Sequence, residues 1–170
     1  LGKLRRLRNL ESLAELDMRG VQRACLLDGG AGDPSVETLL HTFLPYKFIA
    51  HCHANAVLSV TNQPDGAALS AALFAGRAAV VPYTMSGLEL AQRAAQEFEA
   101  APDSIGLVLL HHGLVSFAED ARTTYKNMIA LVTLAEQRIV EARHAPPPAK
   151  TRGGDHADLA ELAPILRGVV

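Results

Sequence analysis

Three short apolar runs, KFIAHCH at 47–53, AAVVPY at 78–83 and IGLVLLHHGLVSF at 105–117, are spread through a chain whose intervening stretches carry helical periodicity. Runs of this length suit buried strands, and strands that alternate with helices belong to a layered α/β domain rather than a bundle or a sandwich of sheets. The third run is long enough for two strands, broken at Gly113. Leucine spacing predicts a helix over 4–16 and a short one over Val21–Leu27, followed by a turn-rich loop, DGGAGDPS. Further helices are predicted over Val36–Leu44, with Ser35 as N-cap and Pro45 after the end, and over 54–62 and 68–76. The last two cover Leu88–Ala100 and Ala121–Arg143.

At 170 residues, 49% of them hydrophobic, the chain is long enough for one domain with a real core. A net charge of -2 and a pI near 6.4 argue against nucleic acid or an anionic membrane as partner. The basic cluster Lys3, Arg5, Arg6 and Arg8 reads as a solvated helix face. Two cysteines, Cys25 and Cys52, make no disulfide framework and fit a reducing, cytoplasmic setting. No apolar run reaches the ~20 residues of a membrane span, and no signal-peptide pattern opens the chain. The expected organisation is a domain over 1–145, then a Pro/Gly-rich linker and terminal helix over 146–170 that connects to something else or packs on a neighbour.

The chemistry concentrates in a few histidines. His51 and His53 stand at i and i+2 of a predicted strand, so they project to one face while Cys52 projects to the other. That arrangement suits two ligands of one metal ion. A catalytic zinc site takes three protein ligands and keeps a position open. HHG at 111–113 supplies the third: it follows an apolar strand, the place where parallel sheets carry their chemistry. By alternation only one of His111 and His112 can join the pair; the glycine that follows weakly favours His112. Glu37 and His41 lie four apart on the predicted helix, and Glu37 is a candidate general acid/base beside the metal. Ser35, at the start of that helix, sits where anions bind.

Taken in order, PSVETLLH, HCH, YTMSGLELA and LVLLHHGLVSF resemble the class II aldolase/adducin family, whose pattern runs P-S-x-E-x-x-x-H, then H-x-H, then H-G. The likeness covers about 10–143. It is strongest to the aldolase part of rhamnulose-1-phosphate aldolase/alcohol dehydrogenase fusion proteins. The resemblance implies a three-layer α/β/α fold that commonly forms homo-tetramers with sites at subunit interfaces. It implies His51, His53 and His112 as metal ligands, Glu37 as acid/base, and Ser35 as a residue that helps hold a substrate phosphate. It implies a metal-dependent aldolase that cleaves a ketose 1-phosphate, such as rhamnulose 1-phosphate, into dihydroxyacetone phosphate and an aldehyde through a metal-stabilised enediolate.

Zinc is the expected ion, with manganese, cobalt or iron compatible with the same ligands. The partner is a small sugar phosphate, and the full-length protein is expected to carry a further domain. Other readings of the same pattern are a sugar-phosphate epimerase or dehydratase, a closed structural zinc site, and a non-catalytic adducin-like assembly domain. Four departures from the family accompany the match, one of them His111, which is unusual at its position and could compete with His112. No glycine/serine phosphate loop precedes PSVE, so either that segment lies outside this chain or phosphate binding is lost. Val36 stands in place of a second serine. Ala50 and Asn55 occupy positions where acidic residues would support the histidines.

Overall fold

The computed structural model describes residues 2–144. The predicted linker and terminal helix of 146–170 lie outside the described residues. In chain order the elements are α1 (Gly2–Arg6), a 3-10 turn (Leu7–Asn9), α2 (Glu15–Arg23), α3 (Thr38–Phe43), β1 (Phe48–Cys52), α4 (Asn55–Thr61), α5 (Gly66–Leu73), β2 (Ala78–Val81), α6 (Leu88–Ala100), β3 (Gly106–Leu109), β4 (Gly113–Ala118) and α7 (Ala121–His144). The four strands form one sheet in the order β1-β4-β3-β2. β2 and β3 are parallel and joined through α6, whereas β3 and β4 form an antiparallel hairpin and β4 pairs antiparallel with β1.

Alternation along the strands sorts two cores onto the two faces of the sheet. Val81, Leu107, Leu109, Val115 and Phe117 pack with α3 and α6 on one side. Ala78, Val108 and Leu114 pack with α4, α5 and α7 on the other. The result is the expected three-layer α/β/α arrangement. On the first face Tyr46 stacks on Phe117 at 4.6 Å between ring centroids, and Phe98 meets both edge-on, which seats the chain just before β1 against α6.

Several boundaries differ from the sequence-based expectation, each for a local reason. The helix predicted over 4–16 stops at Asn9, and α2 then runs through the gap and absorbs the start of the one predicted from Val21. The freed carbonyls of Arg8 and Leu10 accept hydrogen bonds from the Gln92 side chain on α6, a partner visible only after folding. The helix after Ser35 begins at Thr38, not Val36, because Val36 and Glu37 form a turn closed by the Thr38 N–H donating to the Ser35 carbonyl. The sheet is mixed: the HHG segment follows β3, which pairs parallel with β2, and forms the turn of the antiparallel β3–β4 hairpin. Gly113 opens β4 rather than breaking the run, and the break falls at Leu110–His112.

Candidate metal centre

His51 lies on β1 opposite Val115, on the face that carries Ile49 and looks toward α3. Cys52 points through the sheet to α7, where its thiol donates to the Met128 sulfur at 3.2 Å. His53 falls just past the end of β1, yet its Nε2 is 2.8 Å from that of His51. The hairpin turn between β3 and β4 brings in His112, and the turn before α3 brings in Glu37. Glu37 Oε1 accepts from His112 Nε2 at 2.8 Å and lies 3.3 Å from His51 Nε2 and 4.0 Å from His53 Nε2.

One ligand atom from each of Glu37, His51, His53 and His112 falls within 4.8 Å of the others, a group that could hold a metal ion. A tetrahedral zinc with Zn–N near 2.0–2.1 Å sets its ligand atoms about 3.3 Å apart, within the 2.8–4.0 Å found between His51 and His53 and between Glu37 and each histidine. The donor chemistry fits as well. The Leu114 carbonyl can only accept, so the Nδ1–H of His51 donates to it at 3.0 Å. This fixes the tautomer and leaves the Nε2 lone pair directed into the group. Burial is the main cause that lowers the His51 pKa below 6.5; His112 and His53 lower it further, while the Glu37 charge and the Leu114 bond pull it back up. A neutral imidazole is what a metal ligand requires.

Gly113 is a spatial requirement of this group. A Cβ there would collide with the Cys52 carbonyl oxygen and come within 2.9 Å of His53 Cδ2. Only glycine lets β4 pass so close beneath the end of β1. The signal was present in the sequence as the glycine of HHG, but what it makes room for was not.

The other residues singled out in the sequence take different places. Ser35 is exposed; its hydroxyl oxygen accepts the Glu37 N–H at 3.1 Å and so shapes the turn that presents Glu37, rather than capping α3. Ser35, Glu37, Thr38, His41, Thr42 and His51 line an open cavity of about 480 Å³. His41 lies outside the four-residue group. His111 also turns away: it adopts a left-handed backbone with φ of 58°, and its Nδ1 lies 3.0 Å from Asn62 Oδ1. Exposed Tyr83, unremarked in the sequence, meets the His111 ring edge-on. Ala50 packs on the α7 side of the sheet, so it could not have supported the histidine rings. That support comes instead from the Leu114 backbone, which no side-chain pattern announces.

Comparison with known proteins agrees with this arrangement. Residues 3–139 match the family described as Class II Aldolase and Adducin N-terminal domain. An uncharacterized oxidoreductase of Bacillus subtilis (strain 168), YuxG, is 29% identical over 180 residues, covering 100% of this chain and 26% of the relative. The chain thus spans about a quarter of that protein's length. The solved N-terminal class II aldolase domain of a conserved protein from Thermoplasma acidophilum is similar at a TM-score of 0.74 and 31% identity, over 81% of this chain and 63% of that one. A sugar-phosphate aldolase from Thermotoga maritima shares the fold at a TM-score of 0.54 and 21% identity, over 69% of this chain and 59% of that one. The match over most of its length, with a group of histidines and a glutamate on the face that meets α3, makes this chain a member of the class II aldolase and adducin N-terminal domain family.

Proposed function

We propose that the chain forms the catalytic domain of a metal-dependent aldolase that cleaves a ketose 1-phosphate, of which rhamnulose 1-phosphate is one example, to dihydroxyacetone phosphate and an aldehyde. The observation that carries this reading is the convergence of Glu37 Oε1 with the His51, His53 and His112 nitrogens, with the His51 lone pair aimed inward. Three imidazoles and a carboxylate suit zinc best. A divalent ion held there supplies Lewis-acid polarisation of the ketose carbonyl.

The remaining work falls to the chain's own groups. In the cleavage direction a substrate hydroxyl loses its proton, the adjacent carbon–carbon bond breaks to leave an aldehyde, and the carbon left behind gains a proton. Glu37 carries that proton to and from the reacting carbon, because it borders the open cavity and is already oriented by its backbone bond to Ser35. The Ser35 hydroxyl hydrogen is free to donate toward the phosphate while its oxygen holds the turn. Among the described residues, no lysine or arginine lines this cavity. The phosphate is therefore expected to be held by hydroxyl and backbone donors, with further groups from outside the described residues.

Partial exposure of Glu37 and the exposure of His53 leave an approach for substrate, which favours an open catalytic site over a closed structural one. Exposed Tyr125 and Ile129, one turn apart on α7, fit a homo-oligomer, for which a tetramer is the proposed state.

Elemental analysis of the wild type and of a His51→Ala, His53→Ala double variant tests the centre. Near one divalent ion per chain in the first and none in the second is expected, together with release of dihydroxyacetone phosphate from a ketose 1-phosphate by the wild type alone. A wild type that takes up no metal on soaking would remove the proposed mechanism.

A further inference from the structure

The stretch PSVETLLH sends two titratable side chains into the open cavity beside the metal-binding group, and the proposed chemistry uses only Glu37. His41 is the other. Its backbone N–H donates to the Glu37 carbonyl at 3.2 Å, so it stands one helical turn further along, where side chains four apart share a face. His41 is exposed on the cavity and lies outside the four-residue group. Among the described residues its ring makes no hydrogen bond.

The rest of the lining leaves few side-chain donors. Thr38 gives its hydroxyl hydrogen to the Ser35 carbonyl at 2.7 Å, and Thr42 gives its own to the Thr38 carbonyl at 2.7 Å. Both hydroxyls are therefore turned to the backbone of the turn and helix that carry them. The Nδ1–H of His51 is taken by the Leu114 carbonyl. Glu37, as a carboxylate, only accepts. Among the described lining residues two side-chain donors remain: the Ser35 hydroxyl hydrogen and the ring N–H of His41. Either tautomer of a neutral imidazole carries one such N–H.

We infer that His41 binds the substrate phosphate: its ring N–H and the Ser35 hydroxyl donate to phosphate oxygens, and this pair selects phosphorylated over unphosphorylated ketoses. A hydrogen bond to an ionised acceptor is roughly twice as strong as one to a neutral group, so an anion gains more from these two donors than a sugar hydroxyl does. A cavity of about 480 Å³ has the size of a small-molecule site. Because His41 lies outside the metal-binding group, it is placed for the phosphate rather than for the carbonyl. That the phosphate belongs to a ketose rests on the aldolase reading; that His41 holds a phosphate does not.

The test compares the metal-loaded full chain with His41→Leu, which removes the donor, and His41→Gln, which keeps one. Position 41 is exposed on a helix, and both replacements are good helix formers. His41→Leu is expected to weaken binding of inorganic phosphate, read by calorimetry, and to raise KM for a ketose 1-phosphate, each by about 10–100-fold, the worth of a hydrogen bond to a charged group. The change in kcat should be smaller, metal content should match the wild type, and His41→Gln should recover most of the loss. Equal phosphate affinity in His41→Leu, or no phosphate binding by the wild type, would overturn the inference. So would an equal loss toward the unphosphorylated ketose, which would set the ring against the sugar. Phosphate binding that depends on His41 in a wild type that cleaves no ketose 1-phosphate would remove the aldolase reading and leave the phosphate site standing.

Discussion

Glu37 Oε1 sits 2.8 Å from His112 Nε2 and 3.3 Å from His51 Nε2, close enough to serve as a ligand and as a base. The two roles separate in a Glu37→Gln variant, which keeps the shape and one oxygen but cannot carry a proton. Turnover is expected to fall by about 10²–10⁴-fold, the usual worth of a positioned acid/base, while metal content stays above that of the His51→Ala, His53→Ala variant. Full turnover with metal bound would end the acid/base assignment. At this scale the sequence was informative about identity and weak about orientation. The i, i+2 spacing brought His51 and His53 together even though His53 lies beyond the strand. Between His111 and His112, alternation could say only that one of them joins the pair. The choice was made by a left-handed backbone at His111 and its bond to Asn62.

The β3–β4 hairpin is the element on which the centre depends. Leu109 pairs with Gly113 across it, so the turn is only three residues long, and it must carry His112 toward Glu37 and His111 toward α4 at once. Its first strand residue, Gly113, lies against the Cys52 carbonyl and the His53 ring. A methyl group there has nowhere to go without parting β1 from β4. We expect Gly113→Ala to cost about 1–3 kcal/mol of stability, the range for overpacking a tight interior, and to lower metal affinity by displacing His53. Denaturant unfolding and a metal titration read the two effects separately; a variant with unchanged metal affinity would show that His53 tolerates the shift. The elements themselves were largely legible: α6 begins and ends where its pattern predicts, and α4 and α7 do so within a residue at either end. The first helix was not, because its end is set by Gln92 from a distant part of the chain.

Across the whole molecule, the four groups come from the turn before α3, from β1 and its end, and from the β3–β4 turn, so a bound ion would tie three segments of the chain together. An ion that binds the folded state alone stabilises it by about 2.7 kcal/mol at 100 times its dissociation constant. Chelation should therefore lower the unfolding temperature, and the effect should depend on pH. The His51 pKa in the folded chain is below its ordinary 6.5, chiefly through burial. The unfolded chain thus binds more protons in that range, and stability rises with pH. As pH falls below 6.5 this histidine opposes folding, and protons also compete with the metal, so the metal-loaded protein should lose stability more steeply than the chelated one. Thermal unfolding across that range, with and without chelator, tests both signs; parallel curves would argue that no metal links these segments.

The sequence by itself determined the layered α/β class, the positions of most elements and the residues able to bind a metal, because each of these is written in local periodicity or in side-chain chemistry. Only the tertiary structure decided the mixed strand order, the turning away of His111, the backbone anchor at Leu114 and the clearance at Gly113. These depend on which strands lie side by side. Residues 63 positions apart, such as His51 and Leu114, meet only through that pairing, and nothing in the local sequence of either one records its partner.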